Sequence, residues 1–301
     1  MGGWVDAVAG GPDARTVALA LALLAAVSHA VFGSLQKGRH DPWLSRGAID
    51  VCYAAMAAPV ALLVVPWPVG GQWAILAGAA AIHVGYKLAQ AKAYSRGAFT
   101  VVYPVVRGTG PLVTVLAAGV VFGERYSGVQ WLGVAMLSGG ILALSAVNVR
   151  GVGIGRPRLL AALGWALVTG VFVAAYTTYD AWGIRRTPDA FTFLAWFFLV
   201  DGLVFPWIAA ARWLRMADPP ALAALLARGV AGGLVAYVSF GSIMLATRID
   251  KVGQAAVLRE TSVVFAALIG WAVLGEGVGA LRAALVVQIA AGAIVMEFGG
   301  G

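Results

Sequence analysis

The chain has 301 residues, of which 61% are hydrophobic and only 11% are charged. Soluble proteins carry about 25% charged residues, so this composition excludes a soluble globular protein and predicts an all-α protein that crosses a membrane many times. The net charge of +8 does not indicate nucleic-acid binding, because most basic residues lie in short connections between apolar stretches, where they act as topology signals.

Ten stretches of about 20 apolar residues are each long enough to cross a bilayer as a helix. In chain order they are predicted at residues 16–36, 44–66, 73–93, 99–122, 129–147, 159–182, 190–211, 230–246, 254–274 and 280–298. The connections between them are short and rich in Gly, Pro and Arg, so no soluble domain fits between two spans. The longest polar connection, residues 149–158, separates the first five spans from the last five.

The fourth and ninth spans are similar to each other. A shift of 152 residues, without a gap, aligns identical residues of the two halves: Arg96 with Arg248, Arg107 with Arg259, Glu124 with Glu276, and Gly140 with Gly292. We interpret this as an internal duplication, with five-helix repeats at 16–147 and 158–298. Because five is an odd number, the second repeat must be inverted relative to the first. The expected fold is therefore an all-α membrane protein of ten transmembrane helices in two inverted five-helix repeats, which is typical of transporters.

An arginine lies in the middle of each of these two spans. Arg107 stands between Pro104 and Pro111, each of which removes a backbone donor, so we expect the helix to be interrupted there. A buried arginine is costly, and its planar guanidinium suits carboxylate and phosphate groups. We predict that Arg107 and Arg259 bind an anionic group of a substrate; the alternative is a structural ion pair with a neighbouring acid.

Aromatic residues and one carboxylate extend this predicted substrate site. The sixth span ends with Tyr176, Tyr179 and Asp180, a combination that suits an amine or another cation, with an aromatic belt at the membrane surface as the alternative. The predicted substrate-binding residues on several spans are Tyr86, Tyr103, Tyr179, Asp180 and Tyr237, together with the two arginines.

Four titratable residues within the spans are candidates for proton coupling. Glu260 follows Arg259 directly, and His29 lies in the first span. His83 and Lys87 belong to a polar stripe at helical spacing on the third span, with Gln90 and Tyr94 further along it. The alternative for each of these groups is a structural ion pair or an interhelical hydrogen bond.

Other polar residues receive a structural interpretation. Asp50 and Asp201 occupy matching places in the two halves and are expected to make packing hydrogen bonds. Glu124 and Glu276 each follow a glycine at the end of a span and are expected to close the helix. The sequence contains no nucleophile elbow, no paired metal ligands and no Walker A motif, so we expect no catalytic residue, no metal and no cofactor. The single cysteine, Cys52, also excludes an intrachain disulfide.

The run AYSRGAFTVVYPVVRGTGPLVTVLAAGVVFGE, residues 93–124, resembles the fourth-helix signature of EamA-type transporters of the drug/metabolite transporter superfamily. GQAAVLRETSVVFAALIGWAVLGE, which starts at residue 253, is similar to that family's second copy of this signature. His29-Ala30, followed by Lys37, resembles the first helix of one subgroup, although Phe32-Gly33 stands where that subgroup has Trp-Asn. The resemblance covers nearly the whole chain. It implies a ten-helix exporter of small metabolites with both termini cytoplasmic, whereas the distribution of loop charges favours both termini outside.

The sequence therefore predicts a secondary transporter that exports a small polar metabolite, such as an amino acid, through a central cavity by alternating access. We expect it in the cell's inner (plasma) membrane, as a monomer, with the lipid bilayer and a small-molecule substrate as partners and no nucleic acid. Two alternatives remain at this stage. One is an intramembrane enzyme or lipid-handling protein, and the other is a non-transporting membrane subunit whose buried charges specify assembly.

Overall fold

The computed structural model describes residues 3–36, 41–97, 99–149, 155–272 and 279–300. Lys37 and Glu276, which the sequence analysis singled out, lie outside these residues. Within them the chain forms thirteen helices and no strand. The helices are α1 (Gly3–Val8), α2 (Ala14–Gln36), α3 (Pro42–Leu63), α4 (Gln72–Arg96), α5 (Phe99–Phe122), α6 (Gly128–Val149), α7 (Arg156–Arg186), α8 (Ala190–Asp201), α9 (Phe205–Trp213), α10 (Leu222–Ile249), α11 (Val252–Arg259), α12 (Ser262–Ala272) and α13 (Ala280–Phe298).

The helices follow the predicted spans. Nine helical segments of the described chain are long and apolar enough to cross a membrane. α4 takes the place of the third span, although it carries a histidine, two lysines and an arginine. The seventh span is divided into α8 and α9 because Pro206 starts a new helix and Gly202 approaches α3, where a Cβ would lie 2.7 Å from the Asp50 carbonyl oxygen. The protein is thus an all-α, multi-pass membrane protein.

The interruption expected at Pro104 and Pro111 is absent, because α5 runs continuously through both prolines. Close packing on two sides holds it: a Cβ at Gly108 would lie 2.8 Å from Leu142, and one at Gly110 would lie 3.1 Å from Val173. The ninth span is interrupted instead, between α11 and α12.

This break has a defined geometry. The N–H groups of Glu260 and Thr261 bond to carbonyl oxygens three residues earlier, at Val257 and Leu258, with distances of 3.1 Å each. Such tight bonds replace the α-helical pattern for one turn. The Thr261 hydroxyl also donates to the Leu258 carbonyl oxygen at 2.7 Å. The turn places Glu260 inside the protein, where its side chain is fully buried.

The packing of α6 against α13 shows how the two halves are related. A Cβ at Gly140 would lie 2.8 Å from Ile289, and a Cβ at Gly292 would lie 2.6 Å from the backbone nitrogen of Leu137. A shift of 152 residues converts one contact into the other, as expected for duplicated units related by a two-fold axis. Gln288 even donates to the carbonyl oxygen of its own counterpart, Met136, at 3.1 Å.

The same two helices run in opposite directions. The Ser127 hydroxyl, just before α6, donates to the Gly299 carbonyl oxygen, just after α13, at 2.6 Å. Further along α6, Gly140 faces Ile289. Since corresponding helices are antiparallel, the second half is inverted relative to the first. The repeat boundaries 16–147 and 158–298 stay a prediction.

Other contacts between helices also occur twice, once in each of the two positions related by the two-fold axis. α2 packs along α10, and its counterpart α7 packs along α4. α5 packs along α7, and the counterpart of that contact joins α2 to α11 and α12. These pairs surround an interior bounded by α2, α3, α4, α5, α7, α10 and α11.

Replacing Gly292 with alanine is expected to lower stability, because its Cβ would fall 2.6 Å from the Leu137 nitrogen and 2.8 Å from the Gly133 carbonyl oxygen. Overpacking of this kind costs about 1–3 kcal/mol. Gly139→Ala, at an open position on α6, is the matched control and should unfold at or slightly above the parent temperature. Thermal unfolding in detergent measures both, and equal melting temperatures for the two variants would contradict the close packing of α6 and α13.

Candidate functional site: paired arginines and a buried ion network

Two narrow cavities meet at the centre of the protein. The first cavity is bounded by α2, α3, α4, α5, α7 and α10, and polar or aromatic side chains form much of its wall, among them His29, Arg46, Tyr86, Gln90, Tyr103 and Arg107. The second cavity lies between α7, α10 and α11, and its wall includes Tyr176, Thr177, Asp180, Thr247 and Arg259. Phe240 contributes to both walls, so the two spaces adjoin.

Arg107 and Arg259, here called the arginine pair, share a single carboxylate. Nη1 of Arg107 lies 3.0 Å and 3.2 Å from the two oxygens of Glu260. Nε of Arg259 lies 3.3 Å from Oε1 of the same side chain. All three side chains are buried. Two guanidinium groups against one carboxylate leave one positive charge in this group, which favours an anion beside it.

Each guanidinium of the arginine pair lies against a tyrosine ring. Cζ of Arg107 is 5.2 Å from the centre of the Tyr103 ring, and Cζ of Arg259 is 5.9 Å from that of Tyr176. Arg259 also lies 3.5 Å from the Thr177 hydroxyl. These cation–π contacts orient both groups, so that Arg107 faces the first cavity and Arg259 faces the second.

A second set of buried charges, here called the ion network, comprises Arg46, Asp50, Lys87, Asp201, His83 and Asp180. Lys87 is its centre: Nζ lies 2.6 Å from Asp50 Oδ2, 2.9 Å from Asp201 Oδ2 and 3.0 Å from the Tyr53 hydroxyl. The Lys87 side chain is fully buried. A lysine can be buried in this way only when carboxylates surround it. Lys87 therefore joins α4 to both α3 and α8.

The two ends of the ion network lie on different helices. Arg46 Nε is 2.8 Å from Asp50 Oδ1, one turn away on α3. On the other side, His83 Nε2 lies 2.8 Å from Asp180 Oδ2, and His83 Nδ1 lies 3.9 Å from Asp201 Oδ1. Among the described residues, the other oxygen of Asp180, Oδ1, is buried without a hydrogen-bond partner. Asp180 also lines the second cavity.

One end of the interior is closed by Glu124. Its carboxylate accepts hydrogen bonds from the backbone N–H groups of Val252 at 2.7 Å and Gly253 at 3.1 Å, at the start of α11. A carboxylate at a helix N-terminus also interacts favourably with the helix dipole. The Tyr126 hydroxyl donates to the same carboxylate, and burial together with this bond raises the pKa of Tyr126 well above its usual value. Glu124 was expected only to close its own helix; the structure shows that it also bonds to the other half.

A further set of bonds ties helices together at the same end. Arg185, near the end of α7, donates to the carbonyl oxygens of Thr247 at 2.8 Å and Asp250 at 2.7 Å. Both acceptors lie at the end of α10. The ends of α5, α7 and α10 and the start of α11 are therefore connected, and this set of contacts is called the Glu124 end.

The structure brings most of the predicted site residues together. Arg107, Arg259, Glu260, Tyr86, Tyr103, Asp180, His29, His83 and Lys87 all lie in the two cavities or in the charge groups beside them. His29 Nδ1 lies 3.4 Å from the Ser239 hydroxyl. Two tyrosines lie elsewhere: Tyr179 packs against Gly78 and Trp182, and Tyr237 stacks on Phe198 with ring centres 4.0 Å apart.

Sequence reasoning missed Arg46 and underestimated two aspartates. Arg46 falls near the start of the predicted span 44–66, but no role in the site was predicted for it; in the structure its side chain is buried within α3. Its spacing of four residues from Asp50 on an apolar stretch was the available signal. Asp50 and Asp201 were expected to make packing hydrogen bonds, whereas both are ion-paired with Lys87.

Residues 160–298 match the family model of the EamA-like transporter family. The chain carries an EamA-like transporter domain. Over these residues, the match confirms the resemblance that the sequence motifs carry, to a family of small-molecule membrane transporters within the drug/metabolite transporter superfamily. One solved structure matches both halves of the chain. A solved structure described as "Crystal structure of protein" superimposes with a TM-score of 0.76 at 19% identity, over 96% of this chain and 98% of that one. At this identity the likeness shows the fold alone. Comparison with curated proteins gives no match.

Lys87→Met is expected to destabilise the protein by about 3–5 kcal/mol, because it leaves Asp50 and Asp201 buried without their shared cation. Adding Asp201→Asn should restore part of the loss by removing one uncompensated charge. Lys92→Met, on the same helix, is the control, since Lys92 only covers the Trp165 ring. Chemical denaturation in detergent compares the variants. Equal loss for Lys87 and Lys92 would show that the ion network contributes nothing specific.

Proposed function

We propose that the protein is a secondary transporter that exports a small carboxylate-bearing metabolite, an amino acid or a related compound, across the cell's inner (plasma) membrane. The observation that carries this proposal is the arginine pair, in which two buried guanidinium groups share the single carboxylate of Glu260. The remaining positive charge lies between two cavities, where a substrate carboxylate completes the charge balance.

Asp180 supports an amino acid as the substrate class. Its Oδ1 is buried without a hydrogen-bond partner in the described chain, and the residue lines the same cavity as Arg259. A carboxylate bound to Arg259 would leave an adjacent ammonium group close to Asp180. The Tyr176 ring, also in this wall, suits the same cation.

The inverted repeats supply the conformational change. Arg107 faces one cavity and its counterpart Arg259 faces the other, so a two-fold exchange of conformations presents the bound carboxylate to each side in turn. In the conformation described here, contacts of Glu124 and Arg185 hold the Glu124 end closed. The substrate gradient or exchange with protons drives net movement, since the sequence contains no nucleotide-binding motif.

Arg107→Gln and Arg259→Gln are each expected to reduce transport by about tenfold or more, because a lost charged hydrogen bond contributes roughly 1.5–3 kcal/mol. Each variant leaves Glu260 paired with the other arginine, so the protein should still fold. Counterflow in proteoliposomes with a panel of radiolabelled amino acids and small carboxylates measures this.

Arg212→Gln is the matched control, because Arg212 is half exposed, pairs with Asp41 at the surface and lies over the Trp43 ring, away from the arginine pair. It should transport like the parent. Parent-level counterflow in Arg107→Gln and Arg259→Gln would reject the arginine pair as the substrate contact.

Glu124→Ala is expected to open the Glu124 end more often, because loss of a helix N-cap costs about 1 kcal/mol, which corresponds to a factor of about five in population. The readout is the reaction of a membrane-impermeant thiol reagent with a cysteine placed at Thr247, in a chain whose native Cys52 is replaced by serine. Arg158→Ala, which removes bonds to Arg96 and Ser95 at the opposite end, is the control and should not accelerate labelling. Unchanged labelling in Glu124→Ala would show that Glu124 does not hold this end closed.

A further inference from the structure

The ion network is one positive charge short of balance. Its carboxylates are Asp50, Asp180 and Asp201, and its permanent cations are Arg46 and Lys87. His83 is the remaining titratable member. With a neutral His83 ring and three ionised carboxylates, the network carries one negative charge. One proton added to the His83–Asp180 pair makes it neutral.

The arginine pair carries the opposite excess. With Glu260 it holds one positive charge. It lies next to the ion network, because residues of both groups line the second cavity. Arg259 and Asp180 line the same cavity, and the Tyr176 ring lies 4.6 Å from the His83 ring. Without substrate, the charges of the arginine pair with Glu260 and of the ion network therefore cancel when the His83–Asp180 pair carries no added proton. A bound carboxylate anion adds one negative charge to this interior, where net charge is costly.

The His83–Asp180 pair is the place where a compensating proton fits. Asp50 and Asp201 are both held by Lys87, and Asp201 also accepts a hydrogen bond from the Tyr53 hydroxyl. Asp180 has His83 as its hydrogen-bonded partner, its other oxygen has no hydrogen-bond partner among the described residues, and the residue lines the second cavity. Titratable and charged groups surround the pair on every helix packed there. They are Arg46, Asp50 and Tyr53 on α3, Tyr86 and Lys87 on α4, Tyr176 and Tyr179 on α7, Asp201 on α8, and Arg259 with Glu260 at the end of α11.

We propose that the His83–Asp180 pair is a proton-binding site whose occupancy follows the net charge at the arginine pair. When a monocarboxylate anion binds there, one proton from water adds to the neutral His83 ring, whose Nε2–H already donates to Asp180 Oδ2. The pair becomes an imidazolium beside a carboxylate, with the added proton on Nδ1, 3.9 Å from Asp201 Oδ1. A zwitterionic amino acid brings its own positive charge to Asp180 and requires no proton. The substrate part of this inference rests on the proposed function, whereas the electrostatic link between the two groups does not.

A charge placed beside Arg259 tests the link directly. Thr177→Asp puts a carboxylate where the Thr177 hydroxyl lies 3.5 Å from Arg259, and Thr177→Asn has the same shape without the charge. Histidine labelled with ¹⁵N reports the protonation of His83 by NMR in lipid nanodiscs, and the His83 signal is assigned by its loss in His83→Asn. At one neutral pH, Thr177→Asp should raise the ratio of protonated to unprotonated His83–Asp180 about tenfold over Thr177→Asn, since a charge within a few ångströms has an effect of this size.

Arg259→Gln removes one positive charge by a different route and should produce the same increase, whereas Arg212→Gln should not. An unchanged His83 signal in both Thr177→Asp and Arg259→Gln would overturn the proposal. Adding L-lactate to the parent protein should reproduce the increase, and L-alanine should not. If the charge variants respond but lactate does not, the proton site stands and binding of a monocarboxylate anion at the arginine pair is wrong.

Discussion

A charge buried in a membrane protein is stable only when a group of opposite charge lies beside it, and this constraint organises the interior described here. Lys87 holds Asp50 and Asp201 together across three helices, and Glu260 lies between two arginines from opposite halves. The contacts of Lys87 with Asp201 and of Arg107 with Glu260 join helices far apart in sequence. The same contacts therefore stabilise the bundle and leave it sensitive to any charge that enters.

The excess charge at the centre follows from how the duplication has diverged. Arg107 and Arg259 are counterparts in the two repeats, and the antiparallel packing of α5 and α11 brings them to the same carboxylate. Glu260 has no acidic counterpart, because the matching position is Gly108. That glycine is needed for close packing, since a Cβ there would lie 2.8 Å from Leu142. Two inherited arginines and one acid leave a single positive charge available for a substrate.

Much of the fold could be predicted from the sequence, because apolar length and the 152-residue repeat are properties of the chain itself. The spans at 99–122 and 280–298 coincide with α5 and α13, and the inverted relation of the halves follows from five spans per repeat. The position of the helix break could not be predicted. The prolines predicted a break in α5, whereas α5 is continuous and packed on two sides, and the break occurs at Glu260.

The partners of the buried charges were also beyond sequence reasoning. His83, Lys87 and Asp180 were recognised as unusual in apolar spans, but their pairing depends on how α3, α4, α7 and α8 pack. Arg46 shows the limit most clearly, because it lies inside the predicted span 44–66, yet only the packing of α3 makes it a buried ion-pair partner of Asp50. The nearest sequence signal, the spacing of four residues to Asp50, gains meaning only once it is known which face of α3 is buried.

The central claim is that the arginine pair offers one unbalanced positive charge to a carboxylate. Crystals of the protein soaked in 3-bromopropionate test it most directly, because the anomalous scattering of bromine locates the bound anion. The account predicts an anomalous peak within the cavities beside Arg107 and Arg259, which disappears in Arg259→Gln. Bromine found only at the protein surface, with the arginine pair and Glu260 undisturbed, would contradict it.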